Sequence, residues 1–321
     1  MTSPGKYRHL MQSSTPEGHF VILAIDHRAN LLASLNKHAP QPLTDADFTA
    51  FKSQIQASLL PSASAILTDP VYGIGSGIAG GLIGGQVGLL APLEITNYDL
   101  HPRERITKFI EGWSVAKIKR VGGSGVKLLL YYHPDDSLAT EKRDLVSRIV
   151  DESNRHDIPF YLEPIAYSVD PAGKLSVDEL RQVVVESARI FSQLGVDVLK
   201  LEFPVDPKQS MDEVIWKQAL DELNVACTVP WAILSGGVAY AIFKRQAEMA
   251  CAAGASGVIV GRAVWGEAVE LQGAARQAFL NDTGKSRMQE LRQICVQSAE
   301  SWQLRTSVPD VQGEWYKSYS E

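Results

Sequence analysis

The segment GVDVLKLEFPVD, residues 195–206, has the make-up of a strand buried on both faces, yet Lys200 sits in its middle and Glu202 follows two places on. An unpaired ammonium in an apolar core is costly, and lysine is almost never fully buried unless it is paired. A second lysine, Lys127, stands in the strand-like run VKLLLY. If both point inward, burial and the neighbouring cation disfavour the charged amine and lower the lysine pKa. A neutral lysine attacks carbonyls to form a Schiff base. The alternative is a salt bridge in the interior, Lys200 with Glu202 or Asp26. Glu163 ends a third such run, PFYLE, just before Pro164. Burial beside Tyr161 and Leu162 is expected to tune its carboxyl toward the working pH of a proton shuttle. Its alternative is a partner for an Arg or Lys.

Two glycine turns offer a place for an anion. ILSGGV carries Ser235, Gly236 and Gly237, and VIVGRAVW carries Gly261 and Arg262. Glycine lets the backbone approach an anion, the following helix presents free N–H groups, and Arg262 adds a charged fork. The bland reading is two ordinary tight turns. The stretch Gly75-Ser-Gly77-Ile-Ala-Gly80 matches GxGxxG. A dinucleotide site needs a strand running straight into that turn; here residues 69–72 intervene, and further glycines point to a closely packed helix of small residues. The seven histidines are scattered, without HxH or HExxH. No metal site is therefore expected, and His27 and His133 are read as polar contacts to substrate.

These residues need elements to hold them. Short apolar runs recur at 19–25, 63–68, 86–90, 126–131, 159–163, 196–201, 231–234 and 256–260. Continuous runs without strict alternation suit parallel strands covered on both faces. Amphipathic stretches lie between and after them, at 46–60, 139–156, 176–194, 210–223, 240–253, 263–281 and 290–303; the third opens with the capping-box pattern Ser176-Val-Asp-Glu179. Alternating βα units imply right-handed parallel crossovers. Eight of them predict a single-domain (β/α)8 TIM barrel over 19–304, with an N-terminal extension 1–18 and a C-terminal tail 305–321; a doubly wound sheet is the alternative. In such a barrel the site lies at the C-terminal strand ends, where Asp26, His27, Arg28, Asp69, Tyr131, His133, Glu163, Lys200, Ser235 and Arg262 fall.

Composition narrows the partners. The chain has 321 residues and a net charge of −6, and lacks a basic run, which argues against nucleic acid and against an anionic membrane surface. The longest apolar stretch, 74–91, is interrupted by seven glycines and makes a poor membrane span. Cys227, Cys251 and Cys295 are far apart and odd in number. With no signal-peptide pattern, they read as reduced thiols of a cytoplasmic protein.

The motifs LAIDHRANL, GVKLLLYYHPD, FYLEPI, DVLKLEFPVD, PWAILSGGV and GASGVIVGRAVW fall in the same order as in the class I tagatose 1,6-bisphosphate aldolases, which the chain resembles over about residues 19–270. It is also similar to the related sulfofructose phosphate aldolases. The resemblance implies a metal-independent barrel without a cofactor. It implies cleavage of a ketose 1,6-bisphosphate to dihydroxyacetone phosphate and glyceraldehyde 3-phosphate. It implies Lys200 as the Schiff-base lysine, Glu163 as the acid–base, and Asp26 and Lys127 as supporting groups. His27 and Arg28 would contact substrate, and the phosphate loops would fall at Ser235–Gly236 and Gly261–Arg262. Asp26-His27-Arg28 stands where the family commonly has Asp-Gln-Arg, and Ser235-Gly236-Gly237 where it has Ser-Ala-Gly or Ser-Ser-Gly. The glycine-rich segment 73–88 is not matched to a motif of that family. These departures leave open other Schiff-base lyases, acting on sulfofructose phosphate or deoxyribose phosphate, and a non-catalytic sugar-phosphate sensor. A homo-oligomer, taken as a dimer, is expected.

Overall fold

The structure is a computed structural model and describes residues 2–95, 100–170, 172–317 and 319. Eight strands form from the eight apolar runs: β1 (Phe20–Ile25), β2 (Ala65–Thr68), β3 (Gly88–Pro92), β4 (Gly125–Tyr131), β5 (Phe160–Ile165), β6 (Val198–Leu201), β7 (Trp231–Leu234) and β8 (Gly257–Val260). They pair in chain order, all parallel, and β8 closes on β1 to complete a (β/α)8 TIM barrel. Two cores result. Inward side chains such as Phe20, Ile22, Leu67, Tyr161, Val198 and Ile259 fill the barrel. The alternate residues, among them Val21, Leu23, Leu162 and Leu199, pack outward against the helices. Burial of both faces is why the strands read as continuous apolar runs.

The helices follow the expected pattern with local departures. Val177–Gln193 starts in a complete capping box of Ser176 and Glu179, and Thr44 with Asp47 forms another at Asp45–Leu59. The single helix expected over 263–281 is broken. Arg262–Trp265 passes through a 3-10 turn at Gly266–Val269, Gln272 is extended, and Gly273–Phe279 begins afresh. Glycine at 266 and 273 weakens a continuous helix there. The chain then runs through a π turn into Lys285–Ser298.

The ends of the barrel are treated differently. Residues 4–13, expected to be part of a surface extension, form the helix Pro4–Ser13 beneath the N-terminal strand ends; Leu10 joins the inner core, and Lys6 is buried 2.8 Å from Asp197. At the opposite end an antiparallel ribbon, Glu94–Ile95 with Lys108–Phe109, follows β3. The GxGxxG segment forms a short helix, Gly75–Ala79, entered from a π turn at Pro70–Ile74, rather than a nucleotide loop. A side chain at Gly73 or Gly77 would strike Thr68 or Gln56, so close packing accounts for both glycines. Among the described residues no helix is long and apolar enough to cross a membrane.

Candidate active site

Strand alternation sets the site. On β4 the inward series runs Lys127, Leu129, Tyr131; on β5 it runs Tyr161, Glu163; and on β6 it runs Val198, Lys200. Pairing of Tyr161 with Val198 brings Glu163 level with Lys200 on the adjacent strand. The two side chains meet: Lys200 Nζ lies 2.9 Å from Glu163 Oε1. The interior salt bridge is thus with Glu163, not with Glu202 or Asp26. Lys127 Nζ lies 2.9 Å from Glu163 Oε2, 3.0 Å from Asp26 Oδ2 and 2.7 Å from Glu94 Oε1. Its contact with Glu163 lacks the alignment of a hydrogen bond, so it acts through charge.

All four expected catalytic residues therefore come together, and Glu94 joins them. Glu94 is 3% exposed, and its Oε2 has no hydrogen-bond partner among the described residues. The expected strand stopped at residue 90. Continuing its alternation from Leu90 through Pro92 leads inward to Glu94, a signal available in the sequence.

Two lobes open from this cluster. One, of about 370 Å³, is lined by Asp26, Arg28, Asn30, Phe48, Tyr72 and Glu94, among others. Arg28 Nη2 donates to the Glu94 carbonyl oxygen there. The second, of about 210 Å³, holds Ser235, Gly236, Gly237, Gly261, Arg262 and Glu202. His27, Leu129, Glu163 and Lys200 line both, so the lysine stands where they meet. Gly236 and Gly237 have φ of +55° and +79°, a turn that β-carbons resist, and Arg262 Nη2 occupies the space a side chain at Gly237 would crowd. Two lysines, two arginines and a glycine turn line these lobes, a setting that can hold a small anionic compound.

The electrostatics reverse two expectations. Burial alone disfavours the Lys127 ammonium, but Asp26, Glu163 and Glu94 outweigh it and hold its pKa well above the usual lysine range. Lys127 is a fixed cation in ion-pair contact with three carboxylates, whereas Lys200 is in such contact with one, Glu163. Burial alone would raise Glu163, but Lys127 and then Lys200 hold it below the usual carboxylate range. Asp26 is held down in the same way, by the same two lysines against burial. The raised carboxyls are Glu94, where burial prevails over Lys127, and Glu202, which reaches about 7. Burial is the main cause at Glu202, opposed by the hydrogen bond from the Ala166 N–H and aided by the charge of Glu163. Burial also lowers His27 to about 4, against the pull of Asp26, which keeps its imidazole neutral.

Other strand-end residues serve the scaffold. Asp69 is fully buried, paired with Lys52, and its Oδ1 accepts from the Val71 and Tyr72 N–H groups, capping the π turn. His133, expected to touch substrate, lines neither lobe; its Nδ1 accepts from the Asp135 N–H and its ring meets Tyr167 edge-on. No group of three or more His, Cys, Asp or Glu among the described residues could hold a metal ion.

Comparison with known proteins shows what the chain is similar to. Residues 20–267 match the family described as DeoC/LacD family aldolase. A tagatose 1,6-diphosphate aldolase of Staphylococcus aureus (strain bovine RF122 / ET3-1) is 32% identical over 94% of this chain and 98% of its own. Among solved structures, a Schiff-base-forming fructose-1,6-bisphosphate aldolase superposes with a TM-score of 0.60 at 20% identity, covering 90% of this chain and 99% of that one. The fructose-bisphosphate aldolase of Plasmodium falciparum, in a complex, gives a TM-score of 0.69 at 11% identity, over 94% and 98%. At these identities the structural likeness speaks for the barrel alone. Family match and sequence relative together identify the chain as a member of the DeoC/LacD family of aldolases, and so as a carbon–carbon lyase.

Proposed function

We propose that this aldolase is of class I and cleaves tagatose 1,6-bisphosphate, through a Schiff base at Lys200, to dihydroxyacetone phosphate and glyceraldehyde 3-phosphate. The observation that carries the reading is the contact of Lys200 with Glu163, at 2.9 Å, at the junction of two lobes. The choice of sugar rests on the 32% identical tagatose 1,6-diphosphate aldolase.

The chemistry runs through that pair. Lys200 passes a proton to Glu163, and the freed amine attacks the C2 ketone. Glu163 returns the proton to the carbinolamine hydroxyl, water leaves, and a protonated iminium forms. Glu163, again a carboxylate, takes the proton of the C4 hydroxyl. The C3–C4 bond breaks, its electrons enter the iminium to give an enamine, and the aldehyde departs. Protonation at C3 and hydrolysis release the ketone and regenerate Lys200. A depressed Glu163 suits this cycle, because it must begin as an acceptor. Lys127 and Asp26 orient the sugar hydroxyls from a fixed charge network. Ser235, Gly236, Gly237, Gly261 and Arg262 hold the C1 phosphate, neutral His27 contacts a hydroxyl at the junction, and Arg28 faces the C6 end.

Borohydride reduction in the presence of dihydroxyacetone phosphate should fix a three-carbon adduct on the peptide bearing Lys200. Covalent trapping by Lys200→Met would sink the assignment. A turnover panel of tagatose and fructose bisphosphates, the monophosphate and sulfofructose phosphate fixes the substrate. Turnover of none of them would point to a sugar-phosphate sensor.

A further inference from the structure

The lobe that carries the glycine turns also carries a carboxylate. Glu202 is the next inward residue above Lys200, and it lines the lobe with Ser235, Gly236, Gly237 and Arg262. Its Oε2 accepts from the Ala166 N–H at 2.7 Å, and Oε1 has no hydrogen-bond partner among the described residues. It takes no part in the cleavage steps above. On the inner side it shares the lobe with Lys200 of its own strand, Glu163 of the adjacent β5, Tyr131 at the end of β4, His27 after β1 and Arg262 after β8. On the outer side it faces Asp206 and Lys208.

Charge counting exposes a conflict. With His27 neutral, the inner wall offers two cations, Lys200 and Arg262, and two carboxylates, Glu163 and Glu202. A lobe of no net charge is a poor receptor for a phosphate dianion, and a carboxylate with a free oxygen beside it repels the dianion directly. Neutralising Glu202 removes the repulsion and turns Oε1 from a competing acceptor into a group that can carry a donor proton. Glu163 is no substitute, because two lysines hold it ionised.

We propose that Glu202 is a proton-linked specificity residue of this lobe: the phosphate end of the substrate binds the form in which Glu202 is protonated, so binding takes up one proton. The inference rests on reading the lobe as the phosphate site. Its carboxyl, raised to about 7, is poised for such a role near neutral pH. A ligand that selects the protonated form loses affinity above that value, by about tenfold at one pH unit higher. The same device favours phosphate over a neutral group at this end of the sugar, since a neutral group gains nothing from the proton.

The test uses sn-glycerol 3-phosphate, which has the anion but no carbonyl and so forms no Schiff base. Calorimetric titration at about pH 8, in two buffers of different ionisation enthalpy, counts the protons taken up when the probe is already a dianion. Wild-type protein should take up close to one proton. Glu202→Gln should take up none and bind about tenfold more tightly at that pH, while Glu202→Asp, which keeps a carboxyl, should retain the uptake. Binding by wild type without proton uptake overturns the proposal, as does equal uptake by Glu202→Gln. The wild-type count stands even if the glutamine variant fails to fold. Absence of binding at any pH overturns the phosphate-lobe reading as well, which separates the two failures.

Discussion

Replacing Lys127 by methionine keeps its length and removes its charge. Lys127 is 2% exposed, with carboxylate oxygens of Glu94, Glu163 and Asp26 at 2.7, 2.9 and 3.0 Å. Removing one partner of a buried ion pair costs about 3–5 kcal/mol, because the other charge is left stranded. Here three carboxylates are stranded with Lys200 as the remaining cation of the cluster, so the response is proton uptake. Glu94 already lies above the usual range and protonates first. Glu163 follows, since Lys127 is the larger of the two lysine influences holding it down. In wild type the depressed Asp26 and Glu163 contribute stability that is present above the ordinary carboxylate range and lost as pH falls through their folded values. In Lys127→Met that contribution shrinks. Urea denaturation should show a loss of about 3–5 kcal/mol at about pH 8, clearly smaller at about pH 5. The acid limb of the kcat/KM profile should move to higher pH, while borohydride still traps substrate on the intact Lys200. A loss below about 1 kcal/mol, or one equal at both pH values, would refute the reading of Lys127 as the keystone of a three-carboxylate network.

Three further outcomes follow from other parts of the molecule. Arg262→Ala should raise KM for the bisphosphate by about 10- to 150-fold with a smaller change in kcat, since a charge-assisted hydrogen bond is worth about 1.5–3 kcal/mol; equal loss on a non-phosphorylated ketose would remove Arg262 from the phosphate site. Lys52→Met should destabilise by about 3–5 kcal/mol while leaving trapping on Lys200 intact, because the fully buried Lys52–Asp69 pair lines neither lobe. Glu202→Gln should stabilise the protein by up to about 3 kcal/mol at about pH 8 and by little below about pH 4.5. A raised carboxyl costs stability only as pH climbs from its unfolded value to its folded one, so a gain that is larger in acid would contradict the burial of Glu202.

The barrel was legible because its physics is repetitive. Eight strands buried on both faces each left a continuous apolar run, and capping residues such as Ser176 and Glu179 marked a helix start by local hydrogen bonding alone. The ribbon Glu94–Ile95 with Lys108–Phe109 left no such run, since two-residue strands carry no periodicity. The candidate site was legible as a set of residues but not as an electrostatic network. Burial of Lys127 and Glu163 was readable one residue at a time, and for a lone group burial favours the neutral form. What decides their charge is the company each keeps, and that depends on register between strands. The pairing of Tyr161 with Val198 sets Glu163 beside Lys200. That leaves Glu202, the neighbour in sequence, bonded to a backbone N–H instead. Glu94 completes the balance from a position just past the end of β3. With Glu94 present, Lys127 is in ion-pair contact with three carboxylates, whereas Lys200 is in contact with one, Glu163. The proposed division of roles between the two buried lysines thus rests on a count of paired carboxylates, three against one, which neither strand carries by itself.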